Sequence, residues 1–126
     1  MKVLLIAADP TLRKNLPFVL QEAGPFEVLL ARDSQEAALL ALQQRIDVAI
    51  VDLYAPGRAG LGTLREARAA LPGIPLAVVA MRIYAEYRTA CLASGADYFM
   101  DKSGELQDLA RVVRLLGPGG AAARSQ

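Results

Sequence analysis

Asp52 closes a short apolar run, Val48-Ala49-Ile50-Val51, and Pro56, Gly57 and Gly60 follow it within eight residues. A continuous apolar run of this length suits a strand buried on both faces, as in a parallel sheet covered by helices. Its carboxylate then stands at the carboxyl end of a strand, where open α/β sheets place their ligands. Asp9 likewise ends an apolar run, Val3 to Ala8, and Lys102 follows a short candidate strand, Asp97 to Asp101. A carboxylate so placed can act as a nucleophile, and a fixed cation near it can stabilise charge on a transferred group. The bland alternative for Asp52 is a carboxylate that caps its own loop. For Asp9 it is the N-cap of the first helix, which is the preferred reading.

Other chemistries are excluded by residue type. The chain contains no histidine and one cysteine, Cys91. Histidine acid–base catalysis and Ser-His-Asp triads are therefore absent, as are a disulfide framework and Cys/His metal spacing. Cys91 reads as a small packing residue of a helix. No phosphate-cradling glycine loop follows the first strand, where Ala8-Asp9-Pro10 stands instead, which argues against a small-molecule enzyme.

The 126 residues suffice for one domain with a real core, and 54% of them are hydrophobic. Fourteen basic residues balance thirteen acidic ones, so no global field draws in nucleic acid or anionic lipid. Met1 to Ala8 resembles the start of a signal peptide, but Asp9 ends the apolar run short of the roughly 7–15 residues that such a segment needs. No run approaches the about 20 apolar residues of a membrane span. A soluble, cytoplasmic protein without membrane contact is expected.

The elements that must position Asp52 alternate along the chain. Val3–Ala7 reads as a strand, and Asp9-Pro10 opens a helix with Leu12, Leu16, Val19, Leu20 and Ala23 at helical spacing. Pro17 within it predicts a kink or a late start. Phe26–Ala31 is the second strand, and Asp33 or Ser34 caps a helix carrying Ala37, Leu39, Leu40 and Leu42. After the Asp52 strand, the Gly/Pro stretch through Gly60 predicts an irregular loop. Leu61, Leu64, Ala67 and Leu71 then mark a helix closed by Pro72-Gly73. Strand 76–81, helix 83–94 ending at Gly95, strand 97–101 and helix 105–116 complete the pattern. Residues 117–126 lack an apolar period and read as a flexible tail or linker. Five strand–helix units predict a doubly wound parallel sheet of flavodoxin-like order 2-1-3-4-5, a single domain over residues 1–116.

Asp52 with Pro56 and Gly60, then Gly95-Ala96-Asp97-Tyr98, then Lys102, resembles at these spacings the receiver domain of two-component response regulators. The resemblance runs from about Lys2 to Leu116. It implies a signalling module rather than an enzyme, with a histidine kinase or another signalling protein as partner. It assigns Asp52 as the phosphoacceptor and Lys102 as the cation that pairs with the phosphoryl oxygens; a structural ion pair between Lys102 and Asp52 is the alternative. It also implies a Mg²⁺ site, for which Asp52, the Tyr54 carbonyl and Asp9 are the oxygens at hand. Hard Mg²⁺ prefers an octahedron of oxygens. The family's acid pair at the end of strand one falls on Ala7 and Ala8, its switch Ser/Thr on Ala80, and its switch aromatic on Phe99. The pattern is that of an atypical, or pseudo-, receiver working through protein contacts, with weak or no phosphorylation at Asp52.

Ile83, Tyr84 and Tyr87 fall at the start of the fourth helix, on the face receivers use for dimers or effectors. They predict either an apolar face for a homodimer, formed with the fifth strand and fifth helix, or core packing. The alternative reading of the whole is the N-terminal regulatory part of a DNA-binding helix-turn-helix regulator. Lys102-Ser103 and the Gly/Ala-rich tail fit it, and DNA then enters only through a C-terminal domain.

Overall fold

The computed structural model describes residues 1–53, 58–80, 85–101 and 107–118. Along them run β1 (Lys2–Ile6), α1 (Pro10–Ala23), β2 (Glu27–Ala31), α2 (Ser34–Gln43), β3 (Val48–Leu53), α3 (Arg58–Ala70), β4 (Leu76–Ala80), α4 (Ala85–Ala93), β5 (Tyr98–Asp101) and α5 (Gln107–Leu116). All strand pairs are parallel, and the sheet order is β2-β1-β3-β4-β5, the flavodoxin-like order expected.

Side chains alternate across a strand, so each strand feeds two cores. Val3, Leu5, Val48, Ile50, Ala77 and Val79 pack against Leu12, Leu16 and Leu20 of α1 and Leu109, Val112 and Val113 of α5. Leu4, Ile6, Ala49, Val51, Leu76 and Val78 face the other way, onto Ala37 of α2, Leu64 and Ala67 of α3 and Cys91 of α4. Both faces are covered, which is why the strands read as unbroken apolar runs.

Helix starts follow local chemistry. Asp9 caps α1, its Oδ1 accepting the Thr11 N–H at 3.0 Å, with Pro10 in the first turn where its missing N–H costs nothing. Asp33, rather than Ser34, caps α2 by accepting the Glu36 N–H at 2.9 Å. Two expectations are corrected. The first helix starts at Pro10 and runs through Pro17; the buried Leu16 and Leu20 on either side hold the turn that lacks one hydrogen bond. Gly60 is not in a loop but in the first turn of α3. On α2, Ala37 is the buried residue, while Leu39 and Leu42 are 59% and 85% exposed. The tail expected over 117–126 lies, from Gly119 on, outside the described residues. Among the described residues no helix is long and apolar enough to cross a membrane.

One clamp ties down the edge of the sheet opposite Asp52. The Arg68 guanidinium of α3 donates to the carbonyls of Leu71, of Ile74 (2.6 Å) and of Gly95 (3.2 Å), and lies 3.5 Å from Asp97. Asp97 in turn accepts the Leu76 N–H at 2.8 Å. The Gly95-Ala96-Asp97 turn is thus fixed to the start of β4 by charge-assisted hydrogen bonds. Gly95 itself has φ +116°, in the region that favours glycine.

Candidate functional site

Asp52 is the next-to-last residue of β3. It pairs with Val79 of β4, while the ladder with β1 ends one step earlier at Ile6 and Val51. The carboxylate therefore rises from the middle of the sheet just beyond the end of β1. At 6% exposure it is the one buried charged or polar residue among the described residues. Burying a carboxylate is costly unless something repays it, so simple packing does not account for this choice.

A cavity of about 260 Å³ opens over it. Ile6, Ala7 and Ala8 form one wall, Arg32, Asp33 and Ser34 a second, and Thr63, Glu66 and Ala67 of α3 a third. The walls meet because β1 and β2 run in register. Ile6 pairs with Ala31, and the Ala7 N–H donates to the Ala31 carbonyl at 3.0 Å. Ala7 is buried and Ala8 is exposed, and both present only methyl groups.

These residues do not suit a hard divalent cation. Such an ion needs six or more oxygens, several of them from carboxylates. The Ala7 carbonyl accepts the Arg13 guanidinium at 2.8 Å, and the Asp9 carboxylate is turned to the start of α1. Asp33 lines the cavity but caps α2. Among the described residues no three His, Cys, Asp or Glu side chains are grouped so as to hold a metal ion.

Ala80 ends β4 opposite Leu53, 2% exposed. Phe99 pairs with Val78 and is 4% exposed, its ring meeting Tyr87 edge to face with centroids 6.1 Å apart. Of the apolar face expected at the start of the fourth helix, Tyr87 is described and turns inward. Its hydroxyl is buried, and the Cys91 thiol is the polar group beside it. Burial pushes the Tyr87 phenol above its ordinary range, the Cys91 charge adding to the effect. Burial likewise pushes the Cys91 thiol up, with the Tyr87 hydroxyl partly opposing it. Tyr54, Ile83, Tyr84 and Lys102 lie outside the described residues. Leu92 of α4, Tyr98 of β5 and Leu115 of α5 are each 38–42% exposed, and none of them was marked from sequence as exposed apolar surface. Only α5 carries a strong enough helical period to have marked its outward residue.

The sequence matches the family model of the response regulator receiver domain over residues 3–114. It is similar to the virulence transcriptional regulatory protein PhoP of Salmonella typhimurium, 32% identical over 117 residues, which covers 92% of this chain and 52% of that protein. It is also similar to the probable transcriptional regulatory protein TcrX of Mycobacterium tuberculosis, 28% identical over 114 residues, 90% of this chain and 48% of that protein. The chain thus spans about half the length of these curated relatives. Among solved structures, the chemotaxis protein CheY4 of Vibrio cholerae superimposes with a TM-score of 0.75 at 26% identity, covering 91% of this chain and 97% of that one. The receiver domain of the Francisella response regulator 1452 shares the fold with a TM-score of 0.78 at 23% identity, covering 99% and 98%. Sheet order, the buried strand-end carboxylate and the family match agree: the chain belongs to the response regulator receiver domain family.

Proposed function

We propose that this receiver domain signals mainly through protein–protein contacts, and that Asp52 is phosphorylated weakly or not at all by the Mg²⁺-dependent route. The observation that carries this reading is the pair of methyl groups, Ala7 and Ala8, on the cavity wall beside Asp52. Phosphoryl transfer relies on positioning and on neutralising charge on the transferred group, and alanines supply neither. Ala80 likewise offers no hydroxyl at the end of β4 to follow a phosphoryl group, and Phe99 keeps only the aromatic ring of that switch. By resemblance Asp52 remains the acceptor position, and Lys102 is the cation assigned to pair with it.

The module occupies residues 1–116, followed by a linker, in a cytoplasmic setting. Its output is a population shift of the α4–β5–α5 face, set by partner binding more than by phosphate. Leu92, Tyr98 and Leu115 supply exposed apolar area there for a second copy or another signalling protein. A histidine kinase is the partner implied on the input side. A DNA-binding role would belong to a separate C-terminal domain and is not the reading favoured for these residues.

The test is sedimentation of the purified chain, together with titration against the dimerisation domains of histidine kinases from the same organism. Self-association or kinase binding at micromolar concentration, retained in Asp52→Ala, is the expected result. Binding that vanishes with Asp52→Ala, or no association with either, would sink the reading.

A further inference from the structure

The lining of the cavity over Asp52 includes a cation, Arg32. Arg32 directly follows β2, and the pairing of Ala31 with Ile6 sets it beside Ala7 and Ala8 at the same edge of the sheet. It lines the cavity together with Asp52, Thr63 and Glu66. Its side chain makes no hydrogen bond or ion pair among the described residues, whereas its neighbour Asp33 is held by the α2 N-terminus. Arginine keeps its charge at every ordinary pH and presents a planar fork of donors that matches phosphoryl oxygens.

Charge and space then point one way. Asp33 and Glu66 add negative charge to the lining, so a phosphoryl dianion entering the cavity is favoured by a cation on its wall. Ala7 and Ala8 leave room for that group without supplying charge. The described cation within the lining is Arg32.

We propose that Arg32 binds and neutralises a phosphoryl group at Asp52, so that labelling by a small acyl phosphate is slow and independent of metal. This rests on the reading of Asp52 as the acceptor position. In the step, an Asp52 carboxylate oxygen bonds to phosphorus while the bond from phosphorus to the acyl oxygen breaks. The bonding pair leaves on the carboxylate product, and no proton moves. Arg32 N–H groups donate to two non-bridging oxygens throughout.

The test is the intact mass of the full chain over time in acetyl phosphate, with EDTA and in parallel with Mg²⁺, for wild type, Asp52→Asn, Arg32→Gln and Arg32→Lys. Wild type should gain one phosphate-sized increment slowly, and Asp52→Asn none. Arg32→Gln should slow the gain by about tenfold or more, the usual cost of losing a hydrogen bond to a charged group. Arg32→Lys should restore part of the rate, because it returns the charge without the fork. No mass gain by wild type in EDTA, or an equal rate in Arg32→Gln, overturns the role of Arg32 and leaves the protein-contact reading standing. Rapid labelling that requires Mg²⁺ and ignores Arg32 overturns both.

Discussion

Replacing Gly95 with alanine should loosen the α4–β5 turn by far more than one methyl group suggests. Gly95 holds φ +116°, and a side chain forced into such a conformation costs about 1–3 kcal/mol. The added Cβ would also lie 2.6 Å from both Cγ and Cδ of Arg68, so the arginine has to leave its place. Displacing it gives up donation to the carbonyls of Leu71, Ile74 and Gly95 and the ion pair with Asp97. Hydrogen bonds from charged groups contribute about 1.5–3 kcal/mol when buried. The Arg68 side chain is 25% exposed and Asp97 44%, so screening reduces the set to about 2 kcal/mol in all. The sum is about 3–5 kcal/mol, against the about 5–15 kcal/mol of an ordinary domain. Urea unfolding followed by circular dichroism measures it, on Gly95→Ala, Arg68→Ala and the double variant. In the Arg68→Ala background the contacts at 2.6 Å are gone, and the backbone cost and a contact of 3.3 Å with the remaining Cβ are left, so the two changes should couple by about 2 kcal/mol. A Gly95→Ala cost near zero, or the same cost in both backgrounds, would refute the clamp.

Three further outcomes are expected. Gly62→Ala should stabilise the domain by about 0.5–1 kcal/mol, because the site lies inside α3 and a Cβ there meets nothing within 4 Å; an unchanged or lower urea midpoint would count against it. Asp33→Ala should cost about 1 kcal/mol through loss of the α2 cap, and Asp33→Asn should recover most of that in the same assay. Stability should also fall in alkali. The folded state holds the Cys91 and Tyr87 protons more tightly than the unfolded chain does, so their contribution is full below the ordinary thiol value of 9.0 and is lost as pH rises through the folded values. Thermal midpoints from pH 7 upward should therefore begin to drop near pH 9 in wild type and later in Cys91→Ala, and superimposable profiles would contradict this.

Much of the fold is legible in the order of residues, for a physical reason. Strands buried on both faces must be apolar throughout, and Val3–Ile6, Val48–Val51 and Leu76–Ala80 announce themselves. Caps made by Asp9 and Asp33 are local events that local sequence can show. Helix α2 was harder, because Ala37, Leu39, Leu40 and Leu42 are apolar around much of its circumference, and periodicity cannot choose which face is buried. Pro17 and Gly60 read as breaks because their helix penalties are local, while the packing that outweighs them is not. Asp52 stood out as a carboxylate at the end of an apolar run. Its surroundings did not, since Arg32 and Glu66 reach the same cavity only once β2 lies beside β1 and α3 folds over β3. The Arg68 clamp joins residues 27 positions apart and left no mark that spacing could reveal.

The proposal most in need of a direct test is that Asp52 is not the acceptor of a metal-dependent phosphoryl switch. The most direct measurement is the rate of phosphate-sized mass gain in acetyl phosphate with Mg²⁺ and with EDTA, on wild type and Asp52→Ala. The account predicts that Mg²⁺ leaves the Asp52-dependent rate essentially unchanged, because Ala7 and Ala8 bring no carboxylate to the cavity wall beside Asp52. A fast gain that requires both Mg²⁺ and Asp52 would contradict it and restore a conventional receiver.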